Sequence, residues 1–156
     1  MKQTLIPAAE FVDRRNRLLE QMQDNSIAFI SANSEVTRSN DTEYLFCQDK
    51  SFYYLTGFNE PDAVLVLVKS QATYSVLFCL EKDPLAEVWH GRRIGKDRAK
   101  TDYHFEQSHE LVELDELATE LIANKTAIYY CHGHQPKFET RIMGWLNTVK
   151  EQARQG

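Results

Sequence analysis

Apolar positions along the chain follow two rhythms, and each change of rhythm marks an element. From Ala8 to Met22, Phe11, Val12, Arg15, Leu18, Leu19 and Met22 recur at helical spacing, with the aliphatic stem of Arg15 lying along the stripe. Asp24-Asn25-Ser26 ends that helix, because these short polar side chains favour turns and caps. Ile27 to Ile30 is a wholly apolar run of strand length. Ala63 to Lys69 is β-branched and apolar on both faces, the signature of a central strand. Three residues, Ser70-Gln71-Ala72, link it to Thr73–Leu80, and so short a link dictates an antiparallel hairpin pairing Val64–Val68 with Val76–Leu80.

The rest of the pattern is shorter-ranged. Ser31 to Asp41 is a polar loop. Gln48 to Asp62 reads QDKSFYYLTGFNEPD: four aromatics (Phe52, Tyr53, Tyr54, Phe58), a tight corner at Thr56-Gly57, then Glu60-Pro61, where proline extends the residue before it. On composition the four rings are core packing beside a corner. Glu81–Pro84 is a turn and Ala86–Trp89 a short third strand. Lys96–Lys100 gives a helical turn and His104-Phe105 an edge strand. His109–Ala123 is a helix with Leu111, Leu114, Leu117, Ala118, Leu121 and Ile122 on one stripe, N-capped by Ser108. Thr126–Cys131 is another strand. Phe138–Glu151 is the last helix, burying Ile142, Trp145, Leu146 and Val149.

Composition narrows the class without changing that layout. A chain of 156 residues is one domain, and 42% hydrophobic with 26% charged residues is an ordinary globular balance. The net charge of −5 argues against a nucleic-acid surface, and Arg14-Arg15 and Arg92-Arg93 are isolated pairs. Three cysteines without CxxC spacing fit a reduced compartment. Cys79 and Cys131, inside apolar runs, read as small buried hydrophobes. No segment resembles a signal peptide or the roughly 20 apolar residues of a membrane span, so the expected location is the cytoplasm.

Candidate chemistry is sparse. Cys131-His132-Gly133-His134 has the residue types for a soft divalent ion, but a closed zinc site needs four converging ligands, and two histidines in an exposed loop after a strand are the better account of the run. Cys47 is the most exposed thiol and has no partner base in the sequence. Ser39 lacks the glycine elbow of a hydrolase nucleophile. His90–Gly95 holds two glycines but not the phosphate-loop pattern. Carboxylate pairs such as Glu81/Asp83 lie in turns. Trp89 stands apart, at a corner before Gly91 with Arg92 and Arg93 beyond. It is either buried or walls a binding site or interface, where tryptophan is enriched.

Three motifs in order, Thr37–Asp41 (TRSND), Gln48–Asp62 and Glu87–Gly95 (EVWHGRRIG), resemble the amino-terminal domain of Xaa-Pro aminopeptidases (aminopeptidase P), proline-specific enzymes of the creatinase/prolidase superfamily. The match is closest from Phe11 to Gly95. The resemblance implies an α/β fold with a mixed, mostly six-stranded β-sheet flanked by helices, ribonuclease H-like. It implies that residues 1–156 are the amino-terminal domain and that a larger "pita-bread" domain follows. In the family that second domain binds two divalent ions, usually manganese, through two Asp, one His and two Glu, and removes the N-terminal residue of peptides with Pro at the second position. None of those ligands falls before Gly156, so the resemblance implies no catalytic residue, metal or cofactor on this chain. It further implies that the domain narrows the active-site entrance and supports dimers or tetramers, with Trp89 as a substrate-contacting wall. Arg38 and Asp41 match the family loop, where an ion pair between them would fix it. The rival readings are a free-standing peptide- or protein-binding module, the corresponding domain of a prolidase, and a small metalloprotein using Cys131, His132 and His134.

Overall fold

A computed structural model describes residues 6–35, 37–38, 42–43 and 46–155. The helices are α1 (Ala8–Gln21), α2 (Lys50–Thr56), α3 (Pro84–His90), α4 (Gly95–Tyr103), α5 (Leu114–Ile122) and α6 (Pro136–Gln155), and the strands are β1 (Ser26–Ser31), β2 (Thr37–Arg38), β3 (Thr42–Glu43), β4 (Val64–Lys69), β5 (Thr73–Cys79), β6 (Gln107–Glu110) and β7 (Ala127–Tyr129). A five-stranded mixed sheet runs in the order β6-β5-β4-β1-β7, and β2 pairs with β3 apart from it. The β4–β5 hairpin has the expected register, Val64 opposite Phe78 and Val66 opposite Val76. β1 is antiparallel to β4, whereas β7 and β6 join the two edges in parallel.

β4 is central, as its composition predicts, and alternation assigns its side chains to two layers. Leu65 and Leu67 join Leu77, Phe52, Phe58 and Leu19 on the face covered by α1, α2 and α4. Val64, Val66 and Val68 join Phe29, Phe78, Leu114, Ile142 and Trp145 under α5 and α6. Burying each of the large rings stabilises the fold by about 1.5–3 kcal/mol.

Several expectations give way. Among the described residues the sheet has five strands rather than the mostly six that the resemblance implies, and Ala86–Trp89 is not a strand but most of α3. The aromatic stretch is not packing around a corner alone but helix α2, N-capped by Asp49, whose carboxylate accepts from Phe52 N at 2.9 Å. The edge strand lies not at His104-Phe105 but at Gln107–Glu110, polar throughout and recruited by parallel bonding to β5. Consequently the helix starts later than His109. A 3-10 turn at Leu111–Glu113 leads into α5, and the cap is the Glu110/Glu113 box, with Glu110 N donating to Glu113 Oε2 at 3.0 Å. The Ser108 hydroxyl instead donates to the carbonyl of Lys96.

Cys79 is fully buried, and burial pushes its thiol up to about 12, with Glu60 and Glu110 adding to the shift. Cys131 is exposed rather than buried, because β7 ends two residues before it. Ser39 and Asp41, and with them the expected Arg38–Asp41 pair, lie outside the described residues. None of the described helices is long and apolar enough to cross a membrane.

Candidate functional site

α3 is specified by its ends. Asp83 is the N-cap and accepts from Leu85 N at 3.0 Å, Pro84 occupies the first turn, where its missing N–H costs nothing, and Gly91 N donates back to Glu87 O at 2.9 Å. A helix over these residues places Leu85, Val88 and Trp89 on one face at the i, i+3, i+4 spacing. All three face solvent, 81%, 78% and 83% exposed. Trp89 is therefore not a core residue. Leu85 and Val88, missed in the sequence, complete an apolar face around it, and helical spacing was the signal that would have found them.

The opposite side of α3 is fastened to the body. Glu87 Oε1 accepts from Arg93 N at 2.7 Å and from Lys82 Nζ at 3.0 Å, and Lys82 Nζ also donates to Arg93 O at 3.0 Å. The Arg93 backbone bond, then the Lys82 ammonium, hold the Glu87 carboxyl below the usual glutamate range. Arg93 in turn reaches Glu35 at 3.7 Å. Gly95, at φ +81°, lets the next helix pass so close that a Cβ there would sit 2.9 Å from Lys82 Cβ. A hollow of about 420 Å³ opens beside α3, lined by Glu35, Asp62, Glu81, Asp83, Glu87 and Arg93, so carboxylates dominate its field.

Beneath this loop lies Glu60, 8% exposed, whose Oε2 accepts from Ile94 N at 2.8 Å. Its Oε1 is buried without a hydrogen-bond partner among the described residues. Burial raises the Glu60 carboxyl above its ordinary value, against the lowering effects of the Ile94 bond, Arg93 and Lys82. A carboxyl raised on folding binds protons more tightly in the native state. The stability it contributes is whole below the unfolded value, about 4.3, and drains away as pH climbs through the raised native value. Glu60→Gln keeps an acceptor for Ile94 N and removes the titration. Urea unfolding from about pH 4 to pH 8 should show the parent losing stability relative to the Gln variant as pH rises. Parallel pH profiles for the two proteins would count against this account.

The loop that suggested a metal does not assemble one. His134 Nε2 pairs with Asp49 at 2.6 Å on the α2 side, whereas His132 Nδ1 pairs with Glu139 at 2.8 Å on α6. Among the described residues no three His, Cys, Asp or Glu side chains converge to hold an ion. The described residues, those of the Cys131–His134 loop included, do not fit a metal centre, which corrects the small-metalloprotein reading. His109 packs on the Phe78 ring at 5.5 Å, and His104 caps α4 in the left-handed conformation.

Residues 11–129 match the family described as "Aminopeptidase P, N-terminal domain". The chain is 40% identical over 152 residues to Xaa-Pro aminopeptidase of Escherichia coli, covering 96% of this chain and 34% of that protein. It is 39% identical over 145 residues to the Haemophilus influenzae Xaa-Pro aminopeptidase, covering 92% and 32%. Among solved structures, Pseudomonas aeruginosa aminopeptidase PepP superposes with a TM-score of 0.94 at 39% identity, over 99% of this chain and 35% of that one. The low-pH form of E. coli aminopeptidase P gives 0.93 at 38% identity, over 97% and 35%. The E. coli enzyme has also been solved zinc-substituted with a product. The chain spans about a third of the length of these relatives.

Proposed function

From the premise that the chain belongs to the family of aminopeptidase P N-terminal domains, we propose that it is the non-catalytic, substrate-gating part of an enzyme that removes the residue preceding proline at peptide N-termini. The catalytic groups, with two divalent ions and manganese foremost, then belong to a separate carboxyl-terminal domain. The partners are that domain, peptides with proline at position two, and further copies of the chain in a dimer or tetramer. The compartment is the cytoplasm. In this reading Trp89 touches the peptide and Leu85 and Val88 flank it, while the chemistry happens elsewhere.

The observation that carries the reading is the exposure of Trp89 on a helix fastened from behind. Leaving a tryptophan in water forgoes about 2–3 kcal/mol of burial, so an exposed one beside two exposed aliphatic residues marks a contact surface. The Glu87–Lys82–Arg93 bonds and the Glu60–Ile94 bond hold it in place before any partner arrives, which reduces the entropy lost on binding. The acidic hollow beside α3 suits the free ammonium of a peptide.

Trp89→Ala, made in the longer enzyme that carries this domain, should lower kcat/KM on Xaa-Pro peptides about tenfold, the loss of roughly 1.4 kcal/mol of binding to the reacting complex. Its stability should stay within about 0.5 kcal/mol of the parent, as for a surface change. Kinetics unchanged at every peptide length would remove Trp89 from the substrate path. Unchanged mass in sedimentation, with kinetics altered, would assign it to the entrance rather than to subunit contact.

A further inference from the structure

A second cavity lies beside the β1–β7 edge of the sheet, and it shares no lining residue with the hollow beside α3. β7 pairs with β1 only from Ser26 to Ala28, and the chain then leaves the sheet at Tyr130. Beyond Ala28, the side of β1 away from β4 has no paired strand among the described residues. The Gln135 side chain reaches it, its Oε1 accepting from Ser31 Oγ at 2.6 Å and its Nε2 donating to Ser31 O at 3.4 Å. Between α1 and α6 this leaves a half-open cavity of about 400 Å³, within the roughly 300–1,000 Å³ of small-molecule sites.

Its walls are Leu18, Met22, Phe29, Ile30, Tyr130 and Phe138, and its polar side includes Asp49, Glu139 and His134. No Lys or Arg lines it among the described residues. Asp49 is 7% exposed and fixed twice, by Phe52 N and by His134. Glu139 is held by His132 at 2.8 Å. Two hydrogen-bonded carboxylates beside an apolar, aromatic-rich wall attract a cation with an apolar body through charge and burial. The same field repels carboxylate and phosphate groups. We infer that this edge cavity binds a small amphipathic ammonium compound, an amine with an apolar or aromatic body, independently of the surface around Trp89.

The probe is phenethylamine, with phenylacetate as its anionic counterpart, titrated into the isotopically labelled 156-residue chain while backbone amide shifts are followed. Saturable shifts at Phe29–Ala32 and Cys131–Gln135 are expected with the amine, and phenylacetate should bind at least about tenfold more weakly. Glu139→Gln should weaken the amine about threefold or more without weakening phenylacetate. Cys131 is exposed and lines the cavity, so Cys131→Trp leaves the core untouched and should abolish the shifts. Equal binding of the two probes, no saturable change in those amides, or shifts confined to Leu85–Trp89 would each overturn the assignment.

Discussion

Replacing Arg15 with Met is expected to remove about 3–5 kcal/mol of stability, a large share of what holds a domain of this size. Arg15 lies on the apolar stripe of α1 and is only 2% exposed. Its guanidinium donates to Leu55 O at 2.9 Å, to Tyr103 O at 3.1 Å and to His104 O at 3.3 Å, and lies 4.3 Å from the Phe105 ring centroid. Those carbonyls belong to the last turns of α2 and α4, where helices present unpaired acceptors and the negative end of the dipole. One planar cation therefore satisfies two helix ends and joins three helices. Burial, opposed by Glu106, lowers its pKa to about 10, so it stays charged at neutral pH. Methionine fills the space but leaves the carbonyls without donors. Lysine carries a single nitrogen that cannot reach both helix ends, so Arg15→Lys should recover less than half of the loss. Urea unfolding at neutral pH measures both variants. A loss below about 1 kcal/mol for Arg15→Met would mean that water replaces the guanidinium at these carbonyls.

What the sequence made legible follows the range of the interactions. The β4–β5 hairpin could be read because a three-residue link leaves a single pairing, and α1 and α6 because their stripes run for several turns. The Arg15 position on the stripe was visible, but the burial of its charged head was not, since its acceptors come from residues forty and nearly ninety positions away. Helices α2 and α3 were missed for a common reason. Each is seven residues long, too short for periodicity to separate helix from strand, and α2 is rich in aromatics that favour strands. Yet both are bracketed alike, by Asp49 and Gly57 and by Asp83 and Gly91, and these caps decide what pattern could not. β6 was hidden because its residues are polar and only its parallel neighbour makes it a strand. Trp89 stood out in the sequence, but whether it was buried or exposed depended on α3 being a helix.

Gly57→Ala is the second large effect, expected to cost about 2–4 kcal/mol. Gly57 ends α2 at φ +67°, its N–H donating to Tyr53 O at 2.8 Å. A side chain in that left-handed conformation costs about 1–2 kcal/mol. The remainder is contact, because a Cβ built there would lie 2.5 Å from Cε2 and 2.7 Å from Cζ of Phe11. The ring has little room to withdraw. It is 6% exposed and meets Tyr53 edge-on, with centroids 6.1 Å apart. The two contributions separate in a double variant. Phe11→Leu removes most of the colliding ring, so adding Gly57→Ala to it should cost only the conformational part, and the pair should lose at least about 1 kcal/mol less than the sum of the single variants. Strict additivity in urea unfolding would show that Phe11 moves aside freely and that the backbone alone demands glycine. Non-additivity would show that the closing glycine of α2 is fixed by its packing against α1, which joins the helix most readily misread in the sequence to the one most readily recognised.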